Sequence, residues 1–230
     1  MINLTTLPKN CRRAMALAKY FLVAILFSSA AASAGILFEP YGGYAVGSSS
    51  VKYSDTYSAT PALAGTSDSA AINGLSYGGR VALTFNHFAI LGAEYLATDA
   101  KEKRNSMTTQ YDWKARTLFA MMGFQAPMGL RLLGGYGFDA QADESTTPDV
   151  THFKGTAAKL LIGWHLPANM AINLEYTIYH YTDVTVNNVT SKVADSFTKF
   201  DTSSVLATIS FPFEFLSGSG TATSKRAHTP

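Results

Sequence analysis

From about residue 36 onward, apolar and polar side chains alternate with a period of two. Successive side chains of a strand point to opposite faces, so each alternating stretch reads as a strand with one apolar side. Eight such stretches run over 36–46, 75–85, 88–97, 111–125, 130–140, 156–166, 171–182 and 204–215. Each has the roughly ten residues that a tilted strand needs to cross a bilayer, and none keeps a helical period.

The two faces differ in kind. Ile36, Phe38, Tyr44 and Val46 share one face of the first stretch, with Leu37, Glu39, Tyr41 and Gly43 opposite. Leu75, Tyr77, Val81 and Leu83 stand opposite Ser76, Gly78 and Arg80 in the second, and Leu160, Ile162 and Trp164 opposite Lys159 and Gly163 in the sixth. A soluble barrel hides its apolar face and shows its charges. Here the long apolar faces carry no charge, and an Arg or Lys facing lipid near the midplane costs about 2–4 kcal/mol. The charged face is therefore assigned to the lumen.

In the fourth stretch that rule turns Trp113, Ala115, Thr117, Phe119 and Met121 to lipid and Lys114 and Arg116 inward; in the fifth it turns Arg131 and Asp139 inward. The lumen would then hold Arg80, Lys114, Arg116, Arg131 and Lys159 against Glu39, Glu94, Asp139, Glu175 and Glu214. Glu39, Arg80, Glu94, Lys159 and Glu175 fall at similar depth, and Arg116 and Asp139 sit together higher up. Buried charges persist when paired and hydrogen-bonded, so an ion-pair network in the barrel centre is expected. An eight-stranded barrel has room for side chains and little more, so such a network would plug it.

Connections after the even stretches are short (Asn86-His87, Ala126-Pro127-Met128-Gly129, Pro167-Ala168-Asn169-Met170), while those after the odd ones are read as roughly ten to twenty-eight residues. Short turns on one side and long loops on the other suit a barrel with periplasmic turns and external loops. The first loop, about 47–73, is rich in Ser, Ala, Thr and Tyr; the second carries Lys101-Glu102-Lys103-Arg104; the third holds Asp143, Glu144 and Asp149. The fold expected is all-β: an eight-stranded antiparallel transmembrane up-and-down β-barrel over 35–216.

Composition adds two points. Of the 18 basic residues four (Lys9, Arg12, Arg13 and Lys19) stand in the first 34 positions, which hold no acid, leaving 14 against 16 acidic residues and no basic patch for nucleic acid. That same segment has an apolar run from Tyr20 to Phe27 and ends Ala32-Ser33-Ala34, the pattern of a secretory signal peptide cut after Ala34. Met15 opens a leader of ordinary size by itself and is an alternative start. The one cysteine, Cys11, lies in the leader, so the exported chain would have no disulfide or thiolate site. Residues 217–230, rich in Gly, Ser and Thr, read as a flexible tail.

The ordered set of strands resembles the small outer-membrane barrels of the OmpA transmembrane-domain and OmpX-like group. The resemblance rests on Glu39-Pro40-Tyr41-x-Gly43-Tyr44, on Leu174-Glu175-Tyr176 with the following Tyr179 and Tyr181, and on Phe211-x-Phe213-x-Phe215. It implies a cell outer-membrane location and a final strand whose Phe211, Phe213 and Phe215 are read by the outer-membrane assembly machinery. That signal commonly ends such chains, whereas here Ser217–Pro230 follow.

The expected function is a non-enzymatic barrel that supports envelope integrity or adhesion, its expected partners besides lipid being lipopolysaccharide and a surface ligand met through the loops. The chain is expected to be a monomer with no cofactor and no metal. A narrow channel for ions or small solutes is the alternative. A lipid-modifying enzyme is the remote one: His180 and Thr182 share the lipid-facing parity, as do the His and Ser of some lipid A deacylases, but Thr replaces the nucleophile and no carboxylate is placed. His87 and His152 lie at a turn or loop, and His165 in the lumen near the periplasmic rim.

Overall fold

A computed structural model describes residues 34–55, 64–86, 88–105, 109–146, 149–186 and 189–215. The segment expected to be a signal peptide lies, up to Ser33 and including Ala32, outside these residues, as do His87 and the expected tail. Ala34 is the first described residue and opens the first strand.

The strands are β1 (Ala34–Tyr53), β2 (Ser67–Phe85), β3 (Ala89–Arg104), β4 (Gln110–Gln125), β5 (Leu130–Thr146), β6 (Asp149–Leu166), β7 (Met170–Val186), β8 (Val189–Lys192), β9 (Phe197–Ser210) and β10 (Phe213–Phe215); a one-turn helix α1 (Val193–Ser196) joins β8 to β9. All pairings are antiparallel, each of β1 to β7 pairs with the next, and β9 pairs with both β7 and β1. The sheet thus closes into a ring of eight. β10 is the end of the eighth strand rather than a ninth: Tyr41 faces Ser210 and Phe38 faces Phe213 in one unbroken register. The ladder lapses between them because neither Pro40 nor Pro212 has an N–H to give; Phe211 N donates to Pro40 O at 3.0 Å across the gap. β8 folds back on the top of β7, from Asp183 to Val186.

The turns after β2, β4 and β6 are tight and use the left-handed region: Asn86 (φ 53°), Gly129 (φ 87°), and Ala168 with Asn169 (φ 67° and 52°). On the opposite side the connections are shorter than the sequence suggests. Most of the expected loop length is strand: β1 continues to Tyr53, β3 to Arg104, β5 to Thr146 and β7 to Val186. The barrel wall rises well past the membrane, where polar alternation is no longer dictated by lipid and so reads as loop.

The outer face carries the expected apolar stripes, including Phe38, Leu75, Val81, Ile162, Leu174 and Ile209, all exposed to the barrel exterior. β4 departs from expectation. Trp113, Ala115, Thr117, Phe119 and Met121 are buried inside, while Lys114, Arg116, Leu118, Ala120 and Met122 face out. Its lower half is apolar on both faces, so the charge-free face was not diagnostic there; the outward Lys114 and Arg116 stand on the part of the strand above the lipid stripe. Asp139 also faces out. A β-bulge in β5 lets Gly137 and Asp139 oppose consecutive residues of β4, Phe119 and Leu118, and the inward set passes from Arg131, Leu133 and Gly137 to Ala140, Ala142 and Glu144.

Candidate functional site in the barrel lumen

The middle of the lumen holds three cations and three carboxylates. Glu39, Glu175 and Arg131 are 0% exposed, Glu94 1%, Arg80 3% and Lys159 5%. Adjacent strands deliver them: Glu39 faces Arg80 across β1 and β2, and Arg80 faces Glu94 across β2 and β3. Arg80 Nη1 donates to Glu39 Oε1 at 2.9 Å, its Nη2 to Glu175, and its Nε lies 3.4 Å from Glu94 Oε2. Lys159 Nζ bridges Glu94 at 2.7 Å and Glu175 at 2.8 Å. Arg131 clamps Glu39 with both Nη atoms, Nη1 to Oε2 at 2.6 Å, and donates through Nε to Asn173 Oδ1 at 3.1 Å. Asn173 in turn donates to Thr208 and Ser210, at 3.0 Å each.

Aromatic rings finish the packing. The Arg80 guanidinium lies 4.1 Å from the Tyr41 ring centre, and Lys159 Nζ 4.5 Å from that of Phe119. Such contacts favour the cations where water is excluded. Phe119, Leu133 and Leu161, all at most 2% exposed, fill the remaining width. Gly163 makes room for the clamp: a methyl there would collide with Asn173 Oδ1 and sit 2.7 Å from Arg131 Nε.

Of the residues expected in this network, Glu39, Arg80, Glu94, Lys159, Glu175 and Arg131 meet. Lys114, Arg116 and Asp139 do not, for the reasons of parity and bulge given above. On the outer surface Arg116 Nε donates to Gln141 at 2.9 Å, and Gln141 donates to Asp139 at 2.8 Å. Glu214 sits at the short-turn end, bonded to Thr84.

Above the charges lies a layer of rings that was not anticipated. Tyr179 and Tyr181 point inward and stack at 5.9 Å; Tyr181, Trp113, Phe153 and Phe200 pack against one another at 5.0–6.4 Å between centres. The signal for this was present in the strict period-two spacing of Tyr179 with Glu175 and Thr177, which share the lumenal parity.

Over that layer, at the outer mouth, is a cup of about 380 Å³ lined by Glu102, Arg104, Glu144, Asp68 and several of the same rings. Arg104 Nε approaches Glu102 at 3.4 Å and its Nη2 pairs with Glu144. Burial pushes the Glu144 carboxyl up to about 7, against the pull of Arg104 and with the push of Glu102; Glu102 is raised by burial too. A second cavity of about 320 Å³ opens at the short-turn end beside His165 and Glu214. Among the other histidines, His152 pairs with Asp143 at 2.7 Å on the outside, and His180 faces out beside Thr182, whose hydroxyl donates to Asp183 at 2.7 Å.

The profile of the outer membrane protein beta-barrel domain family matches residues 20–201. The chain belongs to this outer-membrane β-barrel family. No curated protein matches it in sequence. Among solved structures it is similar to Neisserial surface protein A (NspA), at 11% identity over 78% of this chain and 99% of that one, with a TM-score of 0.43. It is also similar to OprG from Pseudomonas aeruginosa, at 13% identity over 79% and 96%, TM-score 0.46. The outer membrane protease OmpT from Escherichia coli aligns at 8% identity over 80% and 97%, TM-score 0.35. The barrel, with its apolar exterior, is an outer-membrane protein.

Proposed function

We propose that this is a non-enzymatic barrel with a closed lumen, which serves the envelope through its outer wall and the surface through its mouth. The observation that carries this reading is the neutral plug of Glu39, Glu94, Glu175, Arg80, Arg131 and Lys159, every member of it at most 5% exposed. Opening a path for ions would strip paired charges of their partners inside a narrow wall, which is costly. The ring layer above adds a second barrier. The alternative, a narrow channel, needs both layers to part.

Two contacts belong to the same proposal. Lys114 and Arg116 project outward just beyond the apolar stripe of β4, where lipopolysaccharide phosphates would lie. Phe211, Phe213 and Phe215, exposed on the closing strand, suit recognition by the assembly machinery. The test of the main reading is planar-bilayer recording of refolded protein. Silence is expected from the parent protein and from an Arg80→Ala variant, whose ring layer stays in place, and sustained ion-selective current through the parent protein would overturn the reading.

A further inference from the structure

The mouth cup holds more than the plug reading uses. Among the described residues lining it, Asp68, Glu102 and Glu144 are the acids and Arg104 the cation, so it carries an excess of negative charge. Its walls include the rings of Tyr111, Trp113 and Phe153. Arg104 donates to one oxygen of each glutamate and lies 4.9 Å from the Tyr111 ring centre. The other oxygen of Glu102, Oε2, has no hydrogen-bond partner of good geometry, although Glu102 is 2% exposed; the Ser49 hydroxyl stands near the carboxyl and draws its pKa down. A buried carboxylate oxygen without a donor is costly to keep, and a donor from outside would relieve that cost.

From these residues we infer that the cup binds a small organic cation, whose ammonium donates to Glu102 Oε2 and whose apolar body packs on the Trp113 and Phe153 rings. Charge complementarity selects a cation over an anion, and ring faces favour ammonium groups further. The cup's size suits a small molecule rather than a folded partner. The inference deepens the closed-lumen reading, since a cup floored by packed rings retains a ligand where a pore would pass it. The charged and titratable groups that line the cup with Glu144 are Arg104 and Glu102 from β3, Asp68 from β2, Tyr111 from β4 and Tyr53 from β1. Below about pH 7 Glu144 takes up a proton and the cup loses a negative charge, so binding weakens on acidification.

The chain has two tryptophans, and Trp164 faces the barrel exterior, so a Trp164→Phe background leaves Trp113 as the reporter. Refolded full chain in micelles would be titrated with 2-phenylethylammonium and, at equal ionic strength, with 3-phenylpropionate as the matched anion. Expected are a saturable change in Trp113 fluorescence with the cation only, a Kd raised at least tenfold by Glu102→Gln, and a Kd raised about threefold between pH 8 and pH 5.5 that Glu144→Gln abolishes. Heat-shifted gel mobility confirms that each variant has folded. No saturable change, an equal response to the anion, or parent-like binding by both glutamine variants overturns the inference. Bilayer recording on the same preparation separates the two readings: current from the unliganded barrel defeats the closed lumen, while the titration alone decides the cup.

Discussion

Replacing Arg80 by Met is the sharpest test of the plug. Arg80 touches all three carboxylates: Glu39 at 2.9 Å, Glu94 at 3.4 Å, and Glu175. Met keeps much of the side-chain volume and removes the charge, leaving Glu39, Glu94 and Glu175 to share Arg131 and Lys159. One buried negative charge is then uncompensated, which costs about 3–5 kcal/mol. Urea unfolding in micelles, followed by tryptophan fluorescence and gel mobility, measures the loss. The cost is expected to be nearly independent of salt, because buried pairs are poorly screened. Adding Glu175→Gln restores two cations against two carboxylates and should recover at least half of the loss, a coupling that only contacting residues show. A single-variant loss below about 1 kcal/mol, or a double variant no better than Arg80→Met, would refute the claim that the charges act as one neutral unit.

Three further outcomes are expected. Gly163→Ala displaces the Arg131–Asn173 contact and should lower stability by about 1–3 kcal/mol in the same unfolding assay, the range for overfilling a packed interior. Glu144 has a native value of about 7 against 4.5 for the free carboxyl, so its contribution to stability grows as pH falls from about 7 toward 4.5; between pH 8 and 5.5 this gains roughly 2 kcal/mol that Glu144→Gln should lose. Reversing Lys114 and Arg116 to Glu should lower the lipopolysaccharide that co-purifies with the barrel; unchanged retention measured by lipid A mass analysis would remove that contact from the proposal.

How much was readable from residue order follows the physics of each region. Where a strand crosses lipid with a polar interior, as in β1, β2, β6 and β7, the cost of exposing a charge to hydrocarbon imposes a strict alternation, and Glu39, Arg80, Lys159 and Glu175 were legible as lumenal. β4 escaped because Phe119 and Met121 fill a narrow lumen as readily as they would face lipid. The expected loop residues 101–104 and 143–146 were polar for a different reason: they are strand beyond the bilayer, so Glu102, Arg104 and Glu144 could not be seen to converge.

By itself, then, the alternation of side chains determined the number of spanning strands, the side on which the short turns lie, and the sign of the inside-out pattern, because lipid penalises each misplaced charge locally. Only the tertiary structure decided which side of β4 faces in, how the bulge in β5 turns Asp139 out and brings Glu144 in, and how Arg131, 92 residues from Glu39, comes to clamp it. Those outcomes depend on ring closure and register, which sum over all eight strands and are written in no one of them.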